Sequence, residues 1–120
     1  MKLTVQDLYN LTKGLNDLLD KELSTSTSFT IARNHKKVSD EAKTAEELRK
    51  KIIEKYKDKE NEDGSIQLKK DKLDEYKKEI EELHEQEVDV DIKKIKLDDL
   101  GESIKPRTLG LLEKIIKEEK

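Results

Sequence analysis

A seven-residue repeat of mainly apolar positions between residues 31 and 56 constrains the fold of this chain more than any other feature. The repeat advances by four and three residues in turn, through Ile31, His35, Val38, Ala42, Ala45, Arg49, Ile52 and Tyr56. Such spacing places one narrow edge of a long helix against a partner helix, as in a coiled coil. The two alanines make this edge thin, so each turn buries little area. We therefore predict a helix over about residues 30–57.

The repeat has polar positions as well as apolar ones. We interpret His35 as a polar residue that sets the register of the helix pair, a known use of polar residues in such seams. A second interpretation is a pH-dependent switch at this histidine. Arg49 also falls on the repeat, which makes the seam imperfect.

A second apolar stripe, in about residues 70–85, matches the other side of this seam. Its members are Leu73, Tyr76, Ile80 and Leu83. The two stripes are separated by Asp63-Gly64, a strong turn signal, after which Ile66 and Leu68 alternate with polar residues. The pattern predicts a turn or short hairpin over residues 58–68, with the two helices forming an antiparallel hairpin.

Two further amphipathic segments flank the hairpin. In the first, over about residues 4–22, the apolar positions are Val5, Leu8, Leu11, Leu15, Leu18 and Leu19; in the second, over about 106–118, they are Leu109, Leu112, Ile115 and Ile116. Thr4 is a candidate cap of the first helix and Pro106 suits the first position of the last. We interpret the serine and threonine run over 24–28 as a connection between helices. The apolar stripes of these terminal helices are predicted to mediate assembly.

Strict alternation over about residues 87–97 predicts a strand. Val88, Val90 and Ile92 alternate with charged residues, and a kink or bulge at Lys93-Lys94 is needed to bring Ile95 into phase. A lone strand leaves its backbone groups unpaired, so this one needs a partner. The candidates are the hairpin near Gly64 and a second copy of the chain. The predicted fold is thus mainly helical with a small β element, in a single elongated domain over residues 1–120.

Composition and charge narrow the classes of function. Charged residues make up 46% of the chain, and the 29 acidic and 26 basic residues are interleaved. This balance argues against a nucleic-acid partner, which usually requires an unbalanced basic face. No apolar run reaches the ~20 residues needed to span a bilayer. With neither a signal peptide nor a cysteine in the sequence, we expect no membrane partner and a cytoplasmic location.

Candidate catalytic and metal-binding groups are few. Glu81 and His84 have the Glu-x-x-His spacing of di-iron bundles, and Asp89 and Asp91 share one strand face. A di-iron site would also need a second copy with two further carboxylates, and nothing in the sequence indicates that other ligands converge on the aspartates, so we interpret both pairs as solvated polar faces. The sequence also has no Gly-x-Ser-x-Gly elbow and no glycine-rich phosphate loop. We predict no catalytic residue, no metal site and no cofactor, and we expect that the protein is not an enzyme.

The order of several motifs resembles a known group of proteins. They are the opening Met-Lys-Leu-Thr-Val-Gln-Asp-Leu-Tyr-Asn, the Ile31-Ala32-Arg33-Asn34 helix start, Glu-Lys-Tyr-Lys-Asp before the acidic turn, the strand over 87–92 and the Pro106-x-x-Leu109 helix. In this order they resemble an uncharacterised family of small proteins from tailed phages and prophages of Gram-positive bacteria, a domain of unknown function. The resemblance covers nearly the whole chain. It implies a phage origin and a location in the bacterial host cytoplasm or the virion, and it supplies no catalytic residues.

Three functional hypotheses follow, in order of preference. The first is an oligomeric structural or accessory phage protein that acts through protein–protein contacts, either with itself or with another phage or host protein. The second is a small inhibitor of a host enzyme or defence complex, with an acid-rich surface that imitates nucleic acid locally. A metal-dependent enzyme built on paired carboxylates is the third and least favoured hypothesis.

Overall fold

The structure, a computed structural model, describes residues 1–117 of the chain. The helices are α1 (Val5–Leu18), α2 (Thr25–Tyr56), α3 (Leu73–Glu85) and α4 (Pro106–Leu112). The strands are β1 (Lys2–Thr4), β2 (Lys57–Glu60), β3 (Ile66–Leu68), β4 (Glu87–Asp89), β5 (Ile95–Lys96) and β6 (Ile116–Lys117). Short 3-10 turns lie at Lys70–Lys72, Leu97–Leu100 and Glu113–Ile115. Residues 1–117 are 65% helical, with small two-stranded sheets, which confirms the predicted fold class.

Helix α2 sets the long dimension of the molecule. At ~1.5 Å per residue its 32 residues reach ~48 Å, and the longest extent of the protein is 51 Å. The helix begins inside the serine and threonine run, so the prediction of a connection over 24–28 is wrong. Ser24 caps the helix, since its hydroxyl accepts a hydrogen bond from the Thr27 backbone N–H at 3.2 Å. Ser24 is thus the one residue of the run that lies outside the helix, as the predicted connection required.

The core lies mainly between α1 and α2. Ile31, Val38, Ala42 and Ala45 of α2 are buried, and α1 makes the most extensive contact with α2. From α1 the buried apolar residues are Val5, Leu8, Leu11, Leu15 and Leu18, and the last helix and turn add Leu112 and Ile115. These stripes are used inside a single chain. The prediction that they mediate assembly is therefore wrong.

The ends of α1 are set by local hydrogen bonds and by packing. Thr4 and Asp7 form a capping box, as the Thr4 hydroxyl accepts from the Asp7 N–H and the Asp7 carboxylate accepts from the Thr4 N–H. Lys114 Nζ donates to the same carboxylate at 2.6 Å. Partial burial favours a higher pKa for Asp7, but the hydrogen bonds from Lys114 and Thr4 outweigh it and lower the pKa. The helix ends at Leu18 rather than at residue 22, and Leu19 is 44% exposed.

The predicted strand has a different partner from either one expected. β4 pairs antiparallel with β1, with Leu3 opposite Val88, so neither the Gly64 hairpin nor a second copy is needed. β2 and β3 form an antiparallel hairpin around Gly64, as predicted. The alternating segment is broken into β4 and β5, and β5 pairs in parallel with β6. The predicted helix over 106–118 ends earlier, at Leu112, and residue 118 lies outside the described part of the chain.

The predicted kink is held in place by one side chain of α2. Asn34 is 2% exposed. Its amide nitrogen donates to the Lys93 carbonyl at 2.8 Å, and its amide oxygen accepts from the Lys93 N–H at 3.2 Å. A buried amide thus satisfies both backbone groups of a residue that lies between β4 and β5 and belongs to neither. The clamp fixes the change of phase that lets both Val90 and Ile95 face the core.

The close approach of α1 and α4 predicts opposite effects for two glycine substitutions. A Cβ at Gly14 would lie 2.8 Å from Leu112 Cδ2 and 3.0 Å from Leu111 Cβ, whereas a Cβ at Gly110 would have no neighbour within 4 Å. We expect Gly14→Ala to lower the free energy of unfolding by about 1–3 kcal/mol through overpacking. Gly110→Ala should raise it by about 0.4–1 kcal/mol, because alanine restricts the unfolded chain and favours helix. Urea denaturation followed by circular dichroism measures both, and equal effects would contradict the packing.

A second pair of substitutions separates the observed seam from the predicted one. We expect Asn34→Ala to lower the free energy of unfolding by about 1–3 kcal/mol, because the Lys93 backbone loses both hydrogen bonds. His35 is only half-buried, so His35→Ala should cost under about 1 kcal/mol. Thermal and urea unfolding of the two variants provide the comparison. A larger loss for His35→Ala than for Asn34→Ala would restore the predicted role of the histidine.

Candidate interaction groove

The C-terminal part of α2 and the whole of α3 form an antiparallel helical hairpin. Near the β2–β3 end, the rings of Tyr56 and Tyr76 meet edge to face with centroids 6.1 Å apart. One turn further into the hairpin, Lys55 Nζ lies 3.0 Å from Glu79 Oε1. These contacts align the two helices and show which residues stand at the same level along the hairpin. The predicted pairing of these helices is therefore present at the end of the hairpin that lies next to β2 and β3.

A groove of about 310 Å³ runs between the two helices on the surface of this hairpin. Its lining residues are Leu48, Lys51, Ile52, Lys55, Glu79, Glu82 and Leu83. Leu48 is 47% exposed, and Leu83 forms the buried floor. The lysines stand on the α2 edge and the glutamates on the α3 edge. The groove therefore has an apolar centre, one basic edge and one acidic edge.

The residues of the predicted seam fall into three groups. Ile31, Val38, Ala42, Ala45, Tyr56 and Leu83 are buried; His35, Ile52, Tyr76 and Ile80 are half-buried; and Leu73 is 37% exposed. The structure does not bring them together as one interface between α2 and α3. The first part of the seam belongs to the core shared with α1, and the specific contacts between α2 and α3 include Lys55 with Glu79 and Tyr56 with Tyr76, near the C-terminal end of α2.

Electrostatic contacts within the hairpin shift three pKa values. Hydrogen bonding to Glu79 raises the pKa of Lys55, and interaction with the same carboxylate raises the pKa of Tyr56. The Lys55 and Tyr56 side chains in turn lower the pKa of the Glu79 carboxyl. All three groups keep their usual charge near neutral pH. The Lys55 side chain is 61% exposed, so this ion pair orients the groove edges more than it stabilises the fold.

The polar pairs considered as metal ligands have other contacts. The His84 ring meets the Tyr9 ring edge to face at 5.9 Å, and Asp89 is 2.9 Å from the Met1 amino group. Asp91 lies 3.6 Å from Lys37 Nζ. Within residues 1–117, no three histidine, aspartate or glutamate side chains come together as potential metal ligands.

The charged edges of the groove were missed in the sequence analysis, although a signal for them is present. Lys51 and Lys55 are four residues apart on one helix, and Glu79 and Glu82 are three apart on the other. Like charges at such spacings destabilise an isolated helix. Two such pairs on neighbouring helices indicate that each is compensated by the other helix or by a partner. Combining these two spacings with the predicted helical hairpin would have located the groove.

Comparison with known proteins identifies no relative. No protein family model, no curated protein and no solved structure matches this chain. Separately, none of the helices within residues 1–117 has the length and hydropathy needed to cross a bilayer.

Proposed function

We propose that this protein acts without catalysis, through protein–protein contacts, as a self-associating structural or accessory protein of a phage. The phage assignment rests on the resemblance of its motifs to small phage and prophage proteins, and the bacterial host cytoplasm or the virion is the corresponding location. The observation that carries the self-association is the groove between α2 and α3, with its exposed Leu48 and its two oppositely charged edges.

A second copy of the chain is the occupant that this groove fits. If two grooves face each other across a two-fold axis parallel to the helices, α2 of one copy lies opposite α3 of the other. Lys55 and Glu79 stand at the same height along the helices within one chain. Rotation about an axis parallel to the helices does not change that height. Lys55 of one copy therefore faces the partner's Glu79. An interface of this kind is self-complementary, as two-fold symmetry requires.

The closed assembly is a four-helix bundle made of two hairpins. Leu48 and Ile52 move from the groove surface to the centre of the bundle, and burying a leucine side chain fully is worth about 1.5–3 kcal/mol. The four charged edges lie at the rim, where they select the orientation of the copies more than they add affinity. The bundle uses the same apolar edge of α2 that begins under α1, so assembly extends the core along the helix.

Reversing one charged edge tests the pairing. Lys55→Glu and Glu79→Lys should each weaken self-association by about tenfold or more, because each places like charges opposite one another in both halves of the bundle. The double variant should recover most of the loss, since the edges are exchanged but remain complementary. Sedimentation equilibrium over a wide range of concentrations measures the effect.

Lys50→Glu is the matched control, because Lys50 is exposed on the opposite face of α2 and undergoes the same change of charge. It should leave the association constant within about twofold of the parent protein. A parent protein that stays monomeric at millimolar concentration would refute the bundle. If, instead, a pull-down from host lysate retrieves one stoichiometric enzyme that the protein inhibits, the inhibitor hypothesis replaces this one.

A further inference from the structure

A basic surface at the other end of α2 is separate from the groove. A cavity of about 410 Å³ lies between the first turns of α2 and the segment after β4, and its walls include Phe29, Arg33, Lys37, Ile92 and Lys93. A second cavity of about 200 Å³ adjoins it and shares Thr30 and Lys93. Six basic side chains and two carboxylates line the two together. In a chain whose net charge is −3, this concentrates positive charge in one place.

The walls of the larger cavity are held by specific contacts. The Asn34 clamp fixes the backbone of Lys93 against α2, and Lys37 Nζ donates to the Asp91 carbonyl at 2.8 Å. The segment over 91–93 is thus attached to the helix at both ends. A ligand would meet a preformed surface, which lowers the entropy lost on binding.

Phe29 and Arg33 form the exposed centre of this surface. Phe29 is 62% exposed, and the Arg33 guanidinium lies over its ring at 5.6 Å from the centroid. The stacked pair combines an apolar plate with a planar cation that can hold a carboxylate through two parallel hydrogen bonds. The adjoining start of α2 adds the positive end of the helix dipole.

We propose that these two cavities bind an acidic peptide segment of a partner protein, with an apolar side chain of that segment on Phe29 and Ile92. The continuity of the cavities suits an extended chain rather than a small ion. The walls argue against nucleic acid, because Phe29 is the one aromatic residue among those described in them, too few for a platform of stacked bases.

The test is a titration of the isotope-labelled full chain, followed by amide resonances. The probe is the peptide Glu-Asp-Leu-Glu-Asp-Leu-Glu, blocked at both ends. Matched probes are the same peptide with Gln and Asn replacing the acids, and a thymidine heptanucleotide. We expect the acidic peptide to shift the amides of Phe29, Arg33 and Lys93, and the neutral peptide to shift them far less.

Substitutions then assign the binding to the stacked pair. Phe29→Ala and Arg33→Ala should each weaken binding at least about fivefold, while Arg107→Ala, an exposed arginine of α4 outside both cavities, should leave it unchanged. The unshifted remainder of each spectrum reports that the variant is folded. The proposal is overturned if the acidic peptide causes no shifts at millimolar concentration, if the neutral peptide binds equally, or if Phe29→Ala and Arg33→Ala bind as the parent does. Tighter binding of the heptanucleotide would replace it with a nucleic-acid surface.

Discussion

The packing of a leucine-rich helix against a thin, alanine-containing edge is the interaction on which the rest of this structure depends. Ala42 and Ala45 add little bulk to the buried edge of α2, and the leucines of α1 supply the apolar bulk that α2 lacks. On its other side, α1 is in contact with α4 at Gly14, where the Leu112 side chain packs directly on the glycine. A chain with 32% hydrophobic residues can form a core in this way because one helix, α1, is covered from two sides.

Near each of its ends, α2 also has exposed side chains that lie outside the core, and the two ends carry different surfaces. At its start, the Asn34 clamp turns the segment after β4 into one wall of a basic cavity. At its end, the helix runs beyond α1 and pairs with α3, where apolar residues stay partly exposed between charged edges. The proposed self-association and the proposed peptide binding therefore use opposite ends of one rigid helix. Neither requires a catalytic group.

The heptad repeat predicted the existence of α2 and most of its buried residues, but it could not identify the partner helix. A narrow apolar edge can pack against either α1 or α3. It packs mainly against α1 because α1 has a continuous stripe of buried leucines, whereas the buried residue of α3 is Leu83. The repeat also predicted His35 as a residue of the buried seam, whereas the buried residue in the structure is its neighbour Asn34. Buried positions at 27, 31, 34, 38, 42 and 45 follow a straight helix, which drifts by about 20° per heptad from a supercoiled one.

Other features had no signal at the level of local pattern. β1 is three residues long, too short to reveal a period of two, so the partner of β4 could not be read from the sequence. The serine and threonine run favours turns by its intrinsic preferences, yet packing of Ile31 and the buried Thr27 against the core keeps most of it helical. The groove is different, because the lysine and glutamate spacings that mark its edges are present in the sequence and could have been combined with the predicted antiparallel pairing.

Amide hydrogen exchange at low protein concentration, where association is minimal, tests the central claim most directly. If the core lies between α1 and α2, the slowest exchange will be in α1 and in the part of α2 from about residue 31 to 45, with faster exchange in the end of α2 and in α3. The contrary result is an α2–α3 hairpin that exchanges most slowly while α1 exchanges early. That outcome would place the core where the heptad pattern alone suggested and would contradict a core built on the leucines of α1.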